Sequence, residues 1–288
     1  MANQTADGSV AALYIVATPI GNLGDISQRA LDVLRQADLI AAEDTRHSSR
    51  LTQHFGITTR LVSYHDFSSS AREDAILADL QAGRTVALIS DAGTPLISDP
   101  GYSLVLRARQ LSIPVIPIPG ACALTTALCA AGLPTDRFVF EGFPAHKQGP
   151  RRQLFESLVE EQRTLIFYES PHRIADSIAD MCEVFGSQRQ AVICRELTKT
   201  WETIHGDNLQ ALCGWITADD NNRRGEFVVL VHGAAARAEE EMPAEVERQL
   251  RVLLEELPVK QAAALAARLT GLKKNALYKR ALEISSAR

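Results

Sequence analysis

Small residues and carboxylates come together in loops of this chain that could hold a ligand. Ser90-Asp-Ala-Gly93 and Pro119-Gly-Ala-Cys-Ala123 consist mostly of short side chains, which let a ligand approach the backbone closely. Asp91 and Asp99 add carboxylates to the first loop. This combination suits a small polar ligand with an amine or hydroxyl groups, and it does not suit a bare polyphosphate. An ordinary tight turn is the alternative interpretation of any one loop.

Each ligand-type loop follows directly on a short apolar run. The runs are 13–17, 85–89 and 114–118, and the loops behind them are 18–25, 90–101 and 119–123. Short apolar runs are typical of buried parallel strands. Open α/β sheets bind their ligands beyond the carboxyl ends of such strands. We therefore predict a single cleft that is built from several strand ends.

Strand and helix patterns alternate along most of the chain, which predicts an α/β fold of two lobes. Predicted strands in the first lobe are 13–17, 38–42, 60–63, 85–89 and 114–118, and those in the second are 137–141, 164–168, 191–195, 201–205 and 226–231. The first sheet should be mostly parallel, and short connections predict a mixed second sheet. The predicted divisions are a flexible tail (1–12), an N-terminal α/β lobe (13–132), a second α/β lobe (133–233) and a C-terminal helical element (240–288).

The C-terminal element is basic although the chain has a net charge of −5. Residues 258–288 carry seven Lys or Arg against one Glu, and they follow an acidic stretch at 239–257. Two short predicted helices that meet at 269–272 resemble a helix-turn-helix, and a plain helical hairpin fits the same spacing equally well. The basic segment is a candidate polyanion-binding element.

Composition and missing motifs exclude several classes of protein. A hydrophobic content of 46% indicates a globular chain, and no apolar run reaches the ~20 residues of a membrane helix. The polar N-terminus does not resemble a secretory signal, and five cysteines without a Cys-x-x-Cys pair favour a reducing cytoplasm. The dinucleotide fingerprint, the P-loop, zinc-hydrolase motifs and the Gly-x-Ser-x-Gly elbow do not occur. We predict no metal site.

Longer motifs carry a resemblance to one enzyme family. They are 13–27, Ala42-Glu-Asp-Thr-Arg-His-Ser48, 90–102, 131–138, 141–143, Phe167-Tyr-Glu-Ser-Pro-His-Arg173, 195–202, 224–227 and 273–278. Together they resemble the class III S-adenosylmethionine-dependent methyltransferases (the tetrapyrrole methylase superfamily), and within it the ribosomal RNA small subunit methyltransferase I family. The resemblance covers about residues 12–285. One departure follows Asp66, where Phe67-Ser-Ser-Ser70 replaces the Asn-Glu pair usual in the family.

The resemblance implies a two-lobed enzyme, usually a homodimer, with S-adenosylmethionine in the cleft between the lobes. The implied reaction is 2′-O-methylation of a cytidine in the decoding centre of 16S rRNA, so that the partner is the 30S subunit. By position in the motifs, the expected cofactor contacts are Pro19, Asp91, Ala92, Gly93, Thr94, Ile97, Pro119, Gly120, Ala121, Thr125, Tyr168 and Phe227.

Methyl transfer to a ribose hydroxyl depends on in-line positioning, and a general base that removes the hydroxyl proton adds ~10²–10⁴ in rate. The candidate bases are Glu169 and Glu196, followed by Glu43. The alternative role of Glu43, with Asp44, is to cap the following helix with Arg46 as partner, and that of Glu196 is a structural pair with Arg195. The candidate RNA contacts are Arg46, His47, Arg151, Arg152, Arg173, Lys199, Lys273 and Lys274, with Arg151 and Arg152 expected on a mobile basic loop.

Two other functions compete with RNA methylation. The first is C-methylation of a tetrapyrrole by the same fold, which does not require a basic C-terminal helical pair. The second is a ribosome- or RNA-binding protein without catalytic activity, which the intact cofactor-type loops disfavour.

Overall fold

The computed structural model describes residues 11–65, 70–235 and 242–286. Its strands are β1 (Leu13–Val16), β2 (Leu39–Ala42), β3 (Leu61–Ser63), β4 (Val86–Ile89), β5 (Val115–Ile118), β6 (Phe138–Gly142), β7 (Thr164–Glu169), β8 (Gln190–Arg195), β9 (Thr203–Asn208) and β10 (Phe227–Val231). Its helices are α1 (Gln28–Gln36), α2 (Thr45–His54), α3 (Ser70–Gln81), α4 (Tyr102–Gln110), α5 (Ala123–Ala130), α6 (Gln148–Ser157), α7 (Ile174–Phe185), α8 (Leu209–Ala218), α9 (Ala244–Glu256), α10 (Val259–Thr270) and α11 (Lys274–Ser286). The predicted tail, apart from Ala11 and Ala12, and the departure at 67–69 lie outside the described residues.

The first sheet has the order β3-β2-β4-β1-β5, and all of its pairs are parallel, as the alternating pattern predicts. Its central strand β4 is buried along its whole length, because apolar clusters cover both faces of the sheet. Parallel pairing places the carboxyl ends of all five strands at one edge. The loops behind β1 and β4 meet there, where Thr18 and Gly93 exchange backbone hydrogen bonds of 2.8 and 3.0 Å.

The second sheet has the order β6-β7-β10-β8-β9. β6 and β7 pair in parallel and the other pairs are antiparallel, which confirms the predicted mixed sheet. The strand predicted at 201–205 is wrong in its bounds, since β9 covers 203–208. Trp201 belongs instead to a tight turn, where its carbonyl accepts a hydrogen bond of 3.1 Å from the Arg195 guanidinium.

Helix α5 connects the two sheets. It follows β5 of the first sheet, yet its apolar face packs against the second, where Leu124 and Leu128 share a buried cluster with Val228. The phenol oxygen of Tyr168 on β7 accepts a hydrogen bond of 3.0 Å from the Leu124 N–H at the start of α5. These contacts fix the cleft between the two lobes.

Helices α9, α10 and α11 form a separate compact unit that begins at Ala235. Leu250, Ala263 and Leu277, one from each helix, meet in its own buried core. Gly271 ends α10 with a φ of +73°, a left-handed conformation that glycine adopts without strain. None of the helices in the described ranges is long and apolar enough to cross a membrane.

Candidate functional site

A cavity of about 440 Å³ lies between the strand-end loops of the first sheet and the second sheet. Seven of the residues that we expected to contact the cofactor line it: Asp91, Ala92, Gly93, Thr94, Ile97, Tyr168 and Phe227. The first five come from one loop and the last two from strands β7 and β10, more than seventy residues further along the chain. The tertiary structure therefore brings these distant residues to one site.

Close packing of the loops behind β1, β4 and β5 shapes one wall of the cavity. Gly93 has a φ of +86°, and the Thr94 hydroxyl donates a hydrogen bond of 3.0 Å to the Ala121 carbonyl. A Cβ on Gly120 would lie 2.8 Å from the Cβ of Ala17, so only glycine permits this approach. Gly120 and Ala121 therefore support the wall without lining the cavity. Pro119 and Thr125, which we also expected to contact the cofactor, lie outside the lining as well.

Acidic side chains dominate the polar part of the cavity wall. Five carboxylate residues line it, and its described lining contains no Lys, Arg or His. They are Glu43, Asp91, Asp99, Glu169 and Glu226. Sequence reasoning missed Glu226 as a site residue, although it stands beside Phe227 in the motif 224–227. A wall of this charge favours a ligand that carries positive charge.

Glu169 lines the cavity, and its carboxylate is held by neighbouring side chains and backbone. Its carboxylate accepts from the Ser177 hydroxyl at 2.5 Å and from the Ser170 N–H at 2.8 Å. The Arg173 Nε lies 3.3 Å from it, and the Glu169 side chain has 0% exposure. These contacts hold the carboxylate in place, and Arg173 serves as its counter-ion.

Glu196 lies outside the cavity lining, in a cluster with Lys199 and Glu226. The Lys199 ammonium lies 2.7 Å from a carboxylate oxygen of each glutamate. Burial alone would raise the pKa of Glu196, but the hydrogen bonds from Lys199 and from the Glu226 N–H outweigh burial and lower it. A Cβ on Gly225 would overlap the Glu196 carboxyl group, so this cluster also requires glycine at that turn. The cluster stabilises the turn before β9 and the loop before β10.

Glu43 and Asp44 connect the ends of β2 and β4. The Asp91 carboxylate accepts a hydrogen bond of 3.0 Å from the Asp44 N–H, and the Asp91 N–H donates one of 3.4 Å to Glu43. Asp44 is the N-cap of α2, as the alternative interpretation of this segment expects. Hydrogen bonds from the Arg46 side chain and N–H lower the pKa of Asp44 to about 2. Glu43 is thereby placed on the cavity wall next to Asp91.

The mobile basic loop expected at Arg151 and Arg152 is a wrong prediction. Both residues lie in helix α6, and Arg151 is only 3% exposed because its guanidinium forms an ion pair of 2.6 Å with the buried Asp180. Arg152 pairs with Glu183 at 2.6 Å. Asp180 lies on α7, far from Arg151 in the sequence, so local sequence patterns could not reveal this ion pair.

The other expected RNA contacts occupy different environments. Arg46 is 90% exposed in its side chain, and Lys273 and Lys274 are exposed at the start of α11 in the C-terminal unit. His47 and Pro19 line a second, smaller cavity that shares Asp91 with the first. Pro19, which we expected to contact the cofactor, therefore lies outside the lining of the first cavity. The contacts of the basic residues with RNA remain predictions.

Two further groups on the cavity wall stay protonated. Burial raises the pKa of the Tyr168 phenol well above its ordinary value, and burial raises the pKa of the Cys194 thiol to about 12. Neither group therefore acts as a base or as a nucleophile at neutral pH. No cluster of three or more metal-ligating side chains exists in the described part of the chain.

Comparison with known proteins places this arrangement in a family. Residues 12–213 match the family of tetrapyrrole (corrin/porphyrin) methylases, and residues 240–285 match the RsmI C-terminal HTH domain, which favours the helix-turn-helix over the plain hairpin. Ribosomal RNA small subunit methyltransferase I of Escherichia coli O157:H7 is 56% identical over 98% of both chains. The protein of that name in Pseudomonas aeruginosa is 56% identical over 96% of this chain and 98% of its own.

A solved structure shows the same fold at much lower identity. The crystal structure of cobalt precorrin-4 methyltransferase aligns with a TM-score of 0.58 at 16% identity, over 77% of this chain and 95% of its own. At that identity the likeness concerns the fold alone. With the family match over both lobes and the relatives along nearly the whole chain, the protein belongs to the tetrapyrrole methylase family and, within it, to the ribosomal RNA small subunit methyltransferase I group of methyltransferases.

Proposed function

We propose that this chain transfers a methyl group from S-adenosylmethionine to the ribose 2′-oxygen of a cytidine in the decoding centre of 16S rRNA. The observation that carries the proposal is the 56% identity to ribosomal RNA small subunit methyltransferase I over 98% of both chains. The identity extends over the C-terminal domain as well as the two lobes, which supports a substrate in common with that relative. A cytoplasmic homodimer that acts on the 30S subunit is part of the proposal.

The residues of the 440 Å³ cavity fit the proposed cofactor. S-adenosylmethionine carries positive charge on its sulfonium and amino groups, and the cavity wall contains five carboxylate residues without a basic side chain in its described lining. The small residues Ala92 and Gly93 leave the backbone accessible, and Ile97 and Phe227 offer apolar contact. When bound, the cofactor supplies an electrophilic methyl group. The protein's contribution is to position the acceptor oxygen in line with it.

Glu43 is the best-placed general base among the three carboxylates that we considered. Glu169 accepts hydrogen bonds from serine groups and pairs with Arg173, and Glu196 lies outside the cavity lining. Glu43 lines the cavity and is partly buried. We assign to Glu43 the removal of the 2′-hydroxyl proton, and to Glu169 and Glu196 the positioning of the second lobe.

Methyl transfer from tritiated S-adenosylmethionine to 30S subunits that lack the modification tests the proposal. We expect label on the ribose of one decoding-centre cytidine, located by nuclease mapping. Label on a base or on another nucleotide, or no label while cofactor binding is intact, would contradict the substrate assignment.

Replacement of the proposed base separates chemistry from binding. Glu43→Gln should lower the single-turnover rate at saturating cofactor by ~10²–10⁴, because the amide cannot accept the proton. Glu202→Gln is a matched control, since Glu202 lies outside the cavity lining. A Glu43→Gln enzyme with the control's rate would exclude Glu43 as the base.

A further inference from the structure

A second cavity of about 270 Å³ borders the proposed cofactor site and shares Asp91 with it. Helix α2 forms one side of this cavity, and the loop behind β1 forms the other. Its volume lies just below the ~300–1,000 Å³ of typical small-molecule pockets. It therefore suits one compact group rather than a macrocycle.

One face of α2 turns three cationic or hydrogen-bonding side chains into the cavity. His47, Arg50 and His54 line it together with Leu51, a spacing that places all four on one side of a helix. Within the described residues Arg50 makes no ion pair. Asp91 is the one acidic side chain in the described lining, and one of its oxygens already accepts the Asp44 N–H. This cavity thus offers an arginine and two imidazoles, whereas the polar side chains that distinguish its neighbour are carboxylates.

A buried hydroxyl on the same face has no hydrogen-bond partner within the described part of the chain. Ser48 is 2% exposed, lines the cavity, and leaves its Oγ unsatisfied. Its neighbours on α2 behave differently: the Ser49 hydroxyl donates to the Thr45 carbonyl at 2.6 Å, and the Thr52 hydroxyl donates to the Ser49 carbonyl at 3.1 Å. Buried polar groups are almost always paired, so an orphaned hydroxyl in a cavity wall indicates a ligand.

The remaining wall of the cavity is apolar. Pro19, Leu23 and Leu51 contribute to it, and Leu23 is 41% exposed. A ligand that satisfies both parts of the wall needs an anionic group for Arg50 and Ser48 and a less polar body beside it. A phosphodiester with its sugar has this chemistry.

We propose that this cavity binds a phosphate and sugar of the RNA strand next to the nucleotide that is methylated. The inference rests on the proposed function, and it names Arg50, Ser48 and His54 as substrate-binding residues beside His47. Because Asp91 borders both cavities, a strand seated here places its neighbouring ribose at the entrance to the methyl donor. The acidic cavity thus serves the cationic cofactor, and the cavity that contains Arg50 and Ser48 serves the anionic substrate.

Binding of unmodified 30S subunits to Arg50→Ala and Ser48→Ala variants tests the inference. Arg50→Ala should raise the Kd roughly tenfold, as expected for a lost charge-assisted hydrogen bond. It should also reduce the slope of log Kd against log salt by ~0.7–0.9, the contribution of one phosphate contact. Ser48→Ala should raise the Kd severalfold and leave the salt slope unchanged, because the hydroxyl is neutral.

Arg84→Ala is the matched control. Arg84 stands before the amino end of β4, at the opposite edge of the sheet from Asp91, and pairs with the half-buried Asp79 at 3.1 Å. The Arg84→Ala variant loses the same charge from the same lobe as Arg50→Ala. Its Kd for the 30S subunit and its salt slope should equal those of the wild type. Ser48→Ala also tests folding, since loss of an unsatisfied buried hydroxyl should leave the Tm unchanged or raised.

The outcomes distinguish the inference from the proposed function. If the wild type methylates the 30S subunit but Arg50→Ala and Ser48→Ala bind it as Arg84→Ala does, the inference is overturned and the function stands. If both variants weaken binding of S-adenosylmethionine and not of the subunit, the cavity belongs to the cofactor site and the inference is again overturned. If the wild type methylates no RNA, the proposed function itself fails.

Discussion

Replacing Arg151 by alanine should unfold the two-lobed unit at a much lower temperature without altering its RNA contacts. The Arg151 guanidinium contacts the Asp180 carboxylate at 2.6 and 2.7 Å, and the two side chains are 4% and 3% exposed. Alanine would leave the Asp180 charge buried without its main partner. Removing one member of a buried ion pair typically costs ~3–5 kcal/mol.

Other groups around Asp180 place the expected loss at the lower end of that range. Gln148 donates a hydrogen bond of 3.0 Å to Asp180, and the Arg152 guanidinium lies 3.8 Å from it. We therefore expect about 3 kcal/mol. For a unit of this size, each kcal/mol corresponds to roughly 2–4 °C, so the Tm should fall by about 6–12 °C.

Thermal unfolding followed by circular dichroism measures the loss, and binding to 30S subunits over a salt series measures RNA contact. Arg152→Ala is the control, because the partly exposed pair with Glu183 should contribute no more than ~1 kcal/mol. The double variant Arg151→Met with Asp180→Leu should recover most of the stability. A loss below about 1 kcal/mol, or a salt slope reduced by ~0.9, would refute the structural role and restore Arg151 as a phosphate contact.

Two further predictions concern the loops that form the cleft. Gly120→Ala places a Cβ 2.8 Å from that of Ala17, so it should lower the free energy of unfolding by ~1–3 kcal/mol and weaken cofactor binding measured by calorimetry. Gly149→Ala, where the added Cβ meets open space, is the control and should leave the stability unchanged or raise it. Equal effects of the two substitutions would contradict the close-packing argument. Asp44→Asn tests acid sensitivity, because hydrogen bonds from Arg46 lower the pKa of Asp44 from 3.8 to about 2 in the folded protein. The charged form therefore stabilises the fold above pH 4 and loses this effect as the pH falls towards 2, so the Tm advantage of the wild type should shrink over that window; a constant difference would be inconsistent with it.

Local sequence patterns were sufficient to predict most of the fold. Short apolar runs located the strands, and the turn at 269–272 located the junction between the last two helices, because both depend on neighbours within a few positions. The strand at 201–205 failed because the turn before β9 depends on Arg195 and on the cluster around Glu196. That cluster joins segments about thirty residues apart.

The sequence by itself determined the family, the two α/β lobes, and the loop from Asp91 to Ile97 as one wall of a cleft. The motifs are long and the loops are contiguous, so no long-range geometry was needed. Only the tertiary structure decided which charged side chains a ligand can reach. Asp180 on a neighbouring helix removes Arg151 from the surface, and Glu196 pairs with Lys199 outside the cavity lining. The different side chains of the two cavities beside Asp91, carboxylates in one and Arg50 with two histidines in the other, likewise depend on strands and helices that only folding brings together.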